Sequence, residues 1–525
     1  MIILGLGGLL DGAASAVLKD GQLLAAVEES KISRGLRLGG HPQAAIPQSA
    51  VDETLRLART TREKVSCVAL VRPLAQGPEA RVHLALRDQF PNAEITVLDH
   101  HLAHASSAFF ASPFAEATIL TLDRTGDSRC GVRWKAKGNQ LQAEREWYYP
   151  DSLGRLYGAV TELLGFHARA DEHKVQWLST FGDDRFVPLF RETVSNTGRL
   201  SPAYFDANRT TAGGFSAKFY ERLKLHDGAR IPESMAASVA FGLQRTVEET
   251  ALAMAGHGEN LCLAGGLFYN ALLVDFLERC GKWKNVFVPG AAGNAGTAIG
   301  AAAYVWRQQH PDGDPIGADL LLGPSYGAEE IKQVLENCKL RFKYSRSTDD
   351  LLSTAVHMLG ERKIVAWMQG RMEFGPRALG NRSILASPLD PYSTENLNVF
   401  IKHREPFRKF AASVPQELAA EYFDAGPNAR QLASVGRVKP AHRKTFNSAI
   451  LGEDIVRVHV VAEADNPLYH RLLHEAGRAT GLPVLYNTSF NLFGDPLVST
   501  PRDAVRSFCS SGIDALFVGN FLVEK

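Results

Sequence analysis

Three histidines within five residues carry the clearest potential for metal chemistry in this sequence: His100, His101 and His104. They follow an apolar run that predicts a strand, and they open a stretch with a helical pattern. Residues four apart share one helix face, so His100 and His104 are expected to point the same way, and Asp123 is expected at the end of the next strand. Two imidazoles and a carboxylate can bind a first-row metal ion. The pattern predicts a metal site, and hydrogen bonding of these histidines at a helix start stays open as the alternative.

A basic, glycine-rich stretch at residues 370–383 (GRMEFGPRALGNRS) is the second concentration of chemistry. Planar guanidinium groups match pairs of phosphate oxygens, and hydroxyl and amide groups can complete such a site. Because the chain has 58 basic and 57 acidic side chains, this clustering favours an anion site over a solvated basic surface, which remains the alternative. The candidate residues of this group are Arg377, Arg382, Lys402, Arg404, Arg408, Arg457, Ser489 and Asn491.

Glycine-lined turns follow two further apolar runs. Gly265 and Gly266 end the run 261–264, and Gly293, Asn294 and Gly296 precede a helix of small residues. Turns of this kind between a strand and a helix can direct backbone N–H groups at an anion such as phosphate. Each turn taken alone is weak support, because most glycine turns only reverse the chain.

The elements that must position these groups begin with two similar strand patterns. The first places strands at 2–4, 13–18 and 22–28, with Lys19, Asp20 and Gly21 forming a hairpin turn. The second places strands at 117–123, 130–135 and 140–147. Two meanders of the same plan predict an internal duplication, with a chance match as the alternative. A new series of strand and helix patterns begins at Lys363. We therefore expect a domain boundary between residues 342 and 343, giving domains at 1–342 and 343–525.

Composition restricts the class of protein. The 525 residues are 45% apolar and 22% charged with a net charge of +1, which favours a globular protein and argues against disorder or a nucleic-acid-coating surface. No apolar run reaches the roughly 20 residues of a membrane helix, and the N-terminus lacks a basic leader. The six cysteines are scattered, which predicts reduced thiols. We therefore expect a cytoplasmic protein with no membrane or nucleic-acid partner.

Several of these stretches together resemble one family. They are residues 11–14 with 27–29, His100 to Ala105, Leu263 to Gly266 with Asn270, Gly375 to Gly380, 404–413 and 487–491. The sequence is similar, over nearly its whole length, to the carbamoyltransferases of antibiotic and nodulation-factor biosynthesis, of the NodU, CmcH and TobZ type. The resemblance implies an α/β fold with a duplicated N-terminal domain of the actin and sugar-kinase (ASKHA) type, followed by a C-terminal YrdC-like α/β domain.

The resemblance also implies a reaction. The C-terminal domain would use carbamoyl phosphate and ATP with Mg²⁺ to make carbamoyl-adenylate, and the N-terminal domain would transfer the carbamoyl group to a small-molecule acceptor. The cations of the basic group would contact the two phosphate substrates, with Arg377, Ser489 and, in the other domain, Asp11 as catalytic residues. The N-terminal nucleotide contacts would be Gly265, Gly266, Asn270, Gly293, Asn294 and Gly296. His100, His104 and Asp123 match residues that hold a metal, usually iron, in the family.

The sequence departs from the family around the transfer site. Asn294 replaces an aspartate, which removes a charged oxygen ligand and should weaken metal binding. Leu10 stands where the family has the histidine expected to help deprotonate the acceptor. Arg124 replaces a glycine after Asp123, and residues 174–179 lose the usual small-residue continuation. In the C-terminal half, His459 replaces a glutamine.

The sequence therefore predicts ATP-dependent carbamoyl transfer with an altered transfer site. An amine acceptor would explain the missing histidine, because a neutral amine is nucleophilic without a strong base; otherwise His41, His101 or Asp11 would act as the base. The alternative is an N-terminal domain that only binds nucleotide or a partner. A sugar-kinase-type phosphotransferase is disfavoured, because it gives the basic stretch no role. The acceptor and the oligomeric state stay open, with a homodimer among the options.

Overall fold

Residues 1–34, 46–72, 79–126, 128–492 and 494–525 are described by the structure, which is a computed structural model of the chain. The chain divides into two compact units that alternate along the sequence. The first unit contains Met1–Leu23 and Arg62–Ala318, and the second contains 24–34, Pro47–Thr61 and Asp319–Lys525. The proposed boundary between residues 342 and 343 stays a prediction. The structure adds that a segment close to the N-terminus belongs to the second unit.

The first sheet has the strand order β3-β2-β1-β4-β5. Its strands are β1 (Ile2–Gly7), β2 (Ala14–Lys19), β3 (Gln22–Glu28), β4 (Cys67–Val71) and β5 (Glu94–Leu98). The helices of this part of the sequence are α1 (Glu29–Ile32), α2 (Gln48–Leu57), α3 (Glu79–Gln89) and α4 (His100–Phe109). β1 runs antiparallel to β2 and parallel to β4, and β4 is parallel to β5. Asp20 and Gly21 adopt positive φ in the turn between β2 and β3, as the predicted hairpin requires.

The second sheet has the order β10-β9-β6-β7-β8. Its strands are β6 (Glu116–Leu122), β7 (Arg129–Lys137), β8 (Gln140–Tyr148), β9 (Gly258–Ala264) and β10 (Trp283–Phe287). The accompanying helices are α5 (Leu153–Leu163), α6 (Glu172–Ser179), α7 (Val187–Thr193), α8 (Ala217–Arg222), α9 (Glu233–Ala255), α10 (Ala271–Arg279) and α11 (Thr297–Gln309). β6 runs antiparallel to β7 and parallel to β9, and β9 is parallel to β10.

The two sheets therefore repeat one plan: a three-stranded antiparallel meander extended by two parallel strands. The predicted duplication and the α/β fold class are confirmed. The helix after the last strand of each copy, α4 or α11, lies against its counterpart. A Cβ on Gly300 of α11 would come within 1.9 Å of the carbonyl oxygen of Ala103 in α4, so this close helix crossing requires glycine.

The second unit is built on a mixed sheet with the order β11-β20-β19-β12-β13-β18-β14-β17-β16-β15. Its strands are β11 (Lys343–Tyr344), β12 (Val365–Met368), β13 (Arg382–Ala386), β14 (Ala411–Pro415), β15 (Phe423–Ala425), β16 (Gly436–Val438), β17 (Ile455–Val461), β18 (Leu485–Ser489), β19 (Ala515–Val518) and β20 (Phe521–Glu524). Its helices are α12 (Ala328–Asn337), α13 (Thr348–Gly360), α14 (Ser393–Asn396), α15 (Ala419–Tyr422), α16 (Pro467–Thr480) and α17 (Pro501–Cys509). A π-helical turn, Leu397–Lys402, follows α14.

Alternate residues of the central strands of this sheet enter different cores, as the period of two in a strand requires. Val365 and Trp367 pack with the apolar face of α13 and α16, whereas Ala366 and Met368 pack on the opposite face. All six cysteines are free thiols, as the sequence predicted. Within the described ranges, no helix combines the length and the apolar character that a membrane crossing requires.

Candidate functional site

The predicted metal ligands of the first unit lie together. His100 Nε2 is 2.8 Å from Asp123 Oδ2, and His104 Nε2 is 3.5 Å from the same oxygen. One ligand atom from each residue lies within 4.8 Å of the other two. Burial would raise the pKa of Asp123, but the two imidazoles hold it well below its ordinary value. The trio thus presents two imidazole nitrogens and an ionised carboxylate to one point.

Secondary structure fixes this geometry. Asp99 caps α4 by accepting hydrogen bonds from the backbone N–H groups of His101 and Leu102, at 2.9 and 3.1 Å. The cap sets the start of the helix, and with it the face that carries His100 and His104. Asp123 follows directly after β6. A helix start and a strand end therefore bring the three side chains together.

His104 is fully buried, and neither of its ring nitrogens has a hydrogen-bond partner in the described part of the chain. Burial lowers its pKa, and the side chains of Asp123 and Asn294 oppose that shift. The buried Oδ1 of Asn294 also lacks a hydrogen-bond partner among the described residues. These unpartnered buried atoms fit the requirements of a metal-ion site, because a coordinate bond would satisfy them.

Two glycine turns close around the trio. A Cβ on Gly266 would lie 3.1 Å from Asp123 Oδ1, and one on Gly12 would lie 3.5 Å from the Cβ of Asn294. Gly265 has φ of +103° and faces the backbone of Leu122, so no other residue fits there without strain. Gly293 lies against the ring of Tyr269, and Gly296 packs on the carbonyl of Ala291.

Asn270 has a structural task in the same region. Its Oδ1 accepts a hydrogen bond from Leu273 N at 3.0 Å and so caps α10, and its amide donates to Gln244 Oε1 at 2.8 Å. Gln244 in turn accepts a hydrogen bond from Tyr157 and donates one to Glu248. The role of Asn270 as a nucleotide contact stays a prediction.

The proposed bases of the transfer site differ in their surroundings. Asp11 is exposed in a turn that its backbone N–H closes on Gly8 O at 2.9 Å. His101 is buried, with Nδ1 2.9 Å from Thr121 Oγ1 and Nε2 2.9 Å from Arg129 O. Burial lowers the pKa of His101 to about 3, so the imidazole is neutral. Both of its ring nitrogens already have partners. His41 lies outside the described residues.

Arg124 lies directly beside the trio, since its backbone N–H donates to Asp123 Oδ1 at 2.8 Å. Burial lowers the pKa of its guanidinium, and the nearby cation Arg169 lowers it further. Its buried Nη1 has no hydrogen-bond partner among the residues that the structure describes. The arginine that replaces a glycine at position 124 therefore adds a half-buried cation to the first unit.

In the second unit, the basic glycine-rich stretch is organised by a buried carboxylate. Glu373 Oε1 accepts hydrogen bonds from the backbone N–H groups of Leu379, Asn381 and Arg382, at 2.8, 2.9 and 3.0 Å. Gly380 has φ of +94°, and a Cβ there would come within 2.2 Å of the Tyr469 ring. The loop between β12 and β13 is therefore held by hydrogen bonds from its backbone N–H groups to the Glu373 carboxylate.

Arg382 points into this loop. Its guanidinium is fully buried and donates to the carbonyl oxygens of Gln369 at 2.6 Å and Pro324 at 3.0 Å, among others. Burial lowers its pKa to about 10. These contacts give Arg382 a role in holding the loop, and its contact with a phosphate substrate stays a prediction.

Two residues from the N-terminal segment also hold the loop, and no local pattern predicts these long-range contacts. Lys31 is buried and donates from Nζ to the carbonyl oxygens of Glu373 and Gly375, at 3.0 and 2.6 Å. Glu28 accepts a hydrogen bond from Gly375 N at 3.1 Å and pairs with Lys31. Both lie within the second unit. Through these contacts they restrain Gly375, the first residue of the segment 375–382.

The remaining predicted cations act on one another. Burial lowers the pKa of Arg404 well below its ordinary value, and Arg408 and Arg457 lower it further. Burial, Arg377 and Arg408 lower the pKa of Arg457 to about 9. The pKa of Lys402 is lowered by burial, then by Arg404 and Arg408. Arg377 and Arg408 therefore lie near enough to these three cations for their charges to disfavour the protonated forms.

Sheet register explains why they converge. Ala411, at the start of β14, pairs with Arg457 of β17 and with Asn487 of β18. Ser489, at the end of β18, pairs with Ser383 at the start of β13. One end of the sheet therefore collects the loop before β13, the segment before β14, and residues of β17 and β18.

Lys402 links this end to two more of the predicted residues. Its Nζ donates to Ser489 O at 2.6 Å, Asn491 O at 2.8 Å and Asn491 Oδ1 at 2.6 Å. Ser489 Oγ donates to Asn491 Oδ1 at 2.9 Å. The structure thus brings Lys402, Ser489 and Asn491 into one hydrogen-bonded group. Nearby, His459 lies against Ser413, with Nδ1 3.0 Å from Oγ, and burial lowers its pKa to about 4.

Comparison with protein families gives two matches. Residues 62–303 match the family described as "Carbamoyltransferase N-terminus", and residues 356–525 match "Carbamoyltransferase C-terminus". The two matched ranges contain the metal-type trio and the cation group, respectively.

Individual relatives extend over most of the chain. Nodulation protein NolNO of Sinorhizobium fredii is 30% identical, with 98% of this chain and 79% of that protein covered. Nodulation protein NolO of Bradyrhizobium diazoefficiens is 31% identical, covering 82% of this chain and 79% of that protein. An uncharacterized protein of Synechocystis is 32% identical, covering 100% of this chain and 96% of that protein.

Proposed function

The chain belongs to the carbamoyltransferase family, and we propose that it activates the carbamoyl group of carbamoyl phosphate with ATP and then transfers it to a small-molecule acceptor. Activation would take place in the second unit and produce carbamoyl-adenylate. Transfer would take place in the first unit. The observation that carries the proposal is the convergence of cations at one end of the sheet, where strand register brings β13, β14, β17 and β18 together and the pKa values of Lys402, Arg404 and Arg457 are lowered by burial and by neighbouring arginines.

Cations held this close repel one another, and a polyanionic ligand offsets that repulsion. ATP and carbamoyl phosphate together bring several phosphate charges. Water would first cleave carbamoyl phosphate to carbamate and inorganic phosphate. A carbamate oxygen would then form a bond to the α-phosphorus of ATP, and the bond from that phosphorus to the departing pyrophosphate would break. The leaving group gains negative charge in that step, and fixed cations stabilise developing charge most effectively where water is excluded.

The cations would divide their work. Arg377, Arg408 and Arg457 would contact the phosphates, with Arg404 close behind them. Lys402 would orient Ser489 and Asn491, because its three N–H donors are already directed to those two residues. Arg382 would act as a positioning residue that keeps the loop in shape, since its guanidinium is bonded to backbone carbonyls. Mg²⁺ would accompany ATP as its counterion.

The first unit would receive the activated carbamoyl group next to the metal-type trio. His100, His104 and Asp123 would hold a divalent ion such as Fe²⁺, with the amide oxygen of Asn294 beside them. Such an ion supplies Lewis-acid polarisation of a bound oxygen. The glycine turns at 265–266 and 293–296 would admit the nucleotide's phosphate to the backbone N–H groups, while Asn270 caps α10 directly after the first of these turns.

The acceptor would be a better nucleophile than an ordinary alcohol. Leu10 offers no base, and His101 has both ring nitrogens engaged. An amine needs no strong base at neutral pH, and Asp11 could accept the proton that the attacking nitrogen releases. Leu10→His should therefore create or raise transfer to a hydroxyl acceptor by a factor of about 10²–10⁴. Unchanged transfer by this folded variant would count against a role for position 10.

One experiment tests the proposed function. The full chain is incubated with ATP, Mg²⁺ and carbamoyl phosphate, and pyrophosphate release is measured before acceptors are added. Release that requires carbamoyl phosphate supports activation in the second unit. Mass spectrometry with matched amine and hydroxyl acceptors then detects a product heavier by one carbamoyl group. Pyrophosphate release without any carbamoylated product would indicate a first unit that serves only in binding.

A further inference from the structure

A second group of metal-ligand side chains lies in the second unit and shares no residue with either candidate site. His470 Nε2 is 3.0 Å from Glu417 Oε1, and His474 Nε2 is 2.5 Å from the same oxygen. Ligand atoms of all three residues lie within 4.8 Å of one another. Nothing in the proposed carbamoyl transfer uses these side chains.

Helix α16 and a short turn hold the group. His470 and His474 are one turn apart on α16, and their rings meet edge to face with centroids 4.7 Å apart. Asn466 caps this helix by accepting a hydrogen bond from Tyr469 N at 3.2 Å. Glu417 lies in a short 3₁₀ turn, Gln416–Leu418, directly after β14. The two imidazoles therefore share one helix face, and the carboxylate reaches them from a strand end.

The donor set suits a borderline metal ion. Imidazole nitrogens and a carboxylate oxygen are ordinary ligands of Zn²⁺, at bond lengths of about 2.0–2.2 Å. A tetrahedral site with such bonds places its ligand atoms about 3.3 Å apart, so the two nitrogen–oxygen separations need to widen by less than an ångström. Side-chain rotation can supply that change, because Glu417 is 51% exposed and His474 is 34% exposed. The same exposure gives an ion and a water ligand access from solvent.

We propose that Glu417, His470 and His474 bind one divalent transition-metal ion of the zinc class, with three protein ligands and one position for water. The ion would join the end of β14 to α16. Helix α16 also supports the substrate loop, because Asn466 donates to Leu379 O at 3.2 Å and Tyr469 packs on Gly380. Metal binding would therefore stiffen the support of the cation group without contacting its substrates.

The test compares zinc stoichiometry in full-length variants. Each protein is stripped with a chelator, dialysed and titrated with Zn²⁺ by calorimetry. Because the trio of the first unit can also take an ion, the informative quantity is the difference between variants. We expect His474→Ala and Glu417→Gln each to bind one zinc ion fewer than the unaltered chain. His357→Ala is the matched control, since His357 is an exposed histidine of α13 that pairs with Glu361.

Cobalt gives an independent readout. Four-coordinate Co²⁺ absorbs strongly in the visible range, and we expect part of that absorbance to disappear in His474→Ala and Glu417→Gln but not in His357→Ala. Added zinc should also raise the melting temperature of the unaltered chain more than that of the two ligand variants. Equal stoichiometry and equal cobalt spectra in all four proteins would overturn the proposal. Circular dichroism without metal verifies that each variant is folded.

Discussion

In the first unit, His104 is buried, and neither of its ring nitrogens has a hydrogen-bond partner in the part of the chain described. In the second unit, by contrast, Lys402 donates three hydrogen bonds to two neighbours, Ser489 and Asn491. The trio is set by the ends of a helix and a strand. Beside the cation group, the loop between β12 and β13 is held by many hydrogen bonds between buried charged side chains and backbone groups. The first site should therefore respond to changes in single ligands, and the second should respond to loss of the contacts that hold its loop.

The largest effect is expected from Glu373→Ala. It leaves three buried N–H groups without the carboxylate oxygen that accepts their hydrogen bonds, so the loop should lose its conformation. We expect the free energy of unfolding to fall by about 3–5 kcal/mol and pyrophosphate release to disappear. Urea unfolding and the adenylation assay measure the two effects.

Two variants calibrate that result. Glu373→Gln keeps one acceptor oxygen and should lose less stability than the alanine variant. Glu463→Ala removes an exposed carboxylate and should change neither quantity. If Glu373→Ala keeps full adenylation, activity does not depend on the hydrogen bonds that Glu373 accepts. The expectation that the second site responds to loss of the contacts that hold its loop would then be wrong.

Arg377→Ala and Ser489→Ala test the cation group itself. Removing a charge or a hydroxyl that contacts a phosphate should cost about 2–5 kcal/mol in the transition state, which is a factor of roughly 30 or more in rate. Arg478→Ala serves as the control, because Arg478 is 68% exposed on α16 and pairs with Glu475. Release of pyrophosphate at the unaltered rate by both folded variants would reject the assignment of this site.

Glu248→Gln tests whether a buried charge in the first unit lowers the free energy of unfolding. Burial raises the pKa of Glu248 from 4.5 to about 7, so the native state binds the proton more tightly than the unfolded chain does. Stability of the unaltered chain should then fall as pH rises from about 4.5 to 7. The glutamine variant mimics the protonated acid and keeps the hydrogen bond from Gln244. It should be more stable at pH 8 by up to about 3 kcal/mol, with little difference at pH 4.5.

Thermal unfolding across this pH range measures the effect, and the neighbouring Glu249 supplies a control of opposite sign. The hydrogen bond from Arg191 lowers the pKa of Glu249, so its ionised form stabilises the native state above its ordinary pKa. Glu249→Gln should be slightly less stable than the unaltered chain at pH 8. A pH-independent difference for Glu248→Gln would show that its charge is not the cause.

The smallest effect is expected from Asn294→Asp. The added carboxylate would lie beside His104 and supply a charged oxygen ligand, so metal affinity of the trio should rise by about 10–100-fold. Calorimetric titration in a His474→Ala background isolates the trio from the second candidate metal site. Asn285→Asp adds the same charge at an exposed position and should leave the affinity unchanged. Equal affinities in the two aspartate variants would exclude Asn294 from the metal shell.

Local patterns predicted much of this structure. The hairpin at Asp20 and Gly21 and the repeated meander follow from turn chemistry and strand period, which act over a few residues. His100, His104 and Asp123 converge because helix spacing and a strand end determine their directions. The anion-binding role of the cation group stays a prediction, which the arginines interleaved with glycines at 370–383 indicate because that pattern is uncommon on an ordinary surface.

The contacts that depend on tertiary structure could not be predicted. Lys31 reaches a carbonyl 344 residues further along the chain, and no local pattern indicates such a partner. The inward direction of Arg382 depends on burial, which its neighbours in sequence do not reveal. His470 and His474 show a visible helical spacing, but their third ligand, Glu417, lies 53 residues from His470.

The contact between Lys31 and Gly375 also sets an order of events during synthesis. Ribosomes add roughly 5–20 residues per second, so the N-terminal part of the second unit emerges tens of seconds before the loop it restrains. During that interval a lysine and a glutamate destined for burial remain in water, where their charges keep the nascent segment solvated. The second unit can close only after nearly the whole chain has left the ribosome, and a fragment beginning at residue 343 would be made without either residue.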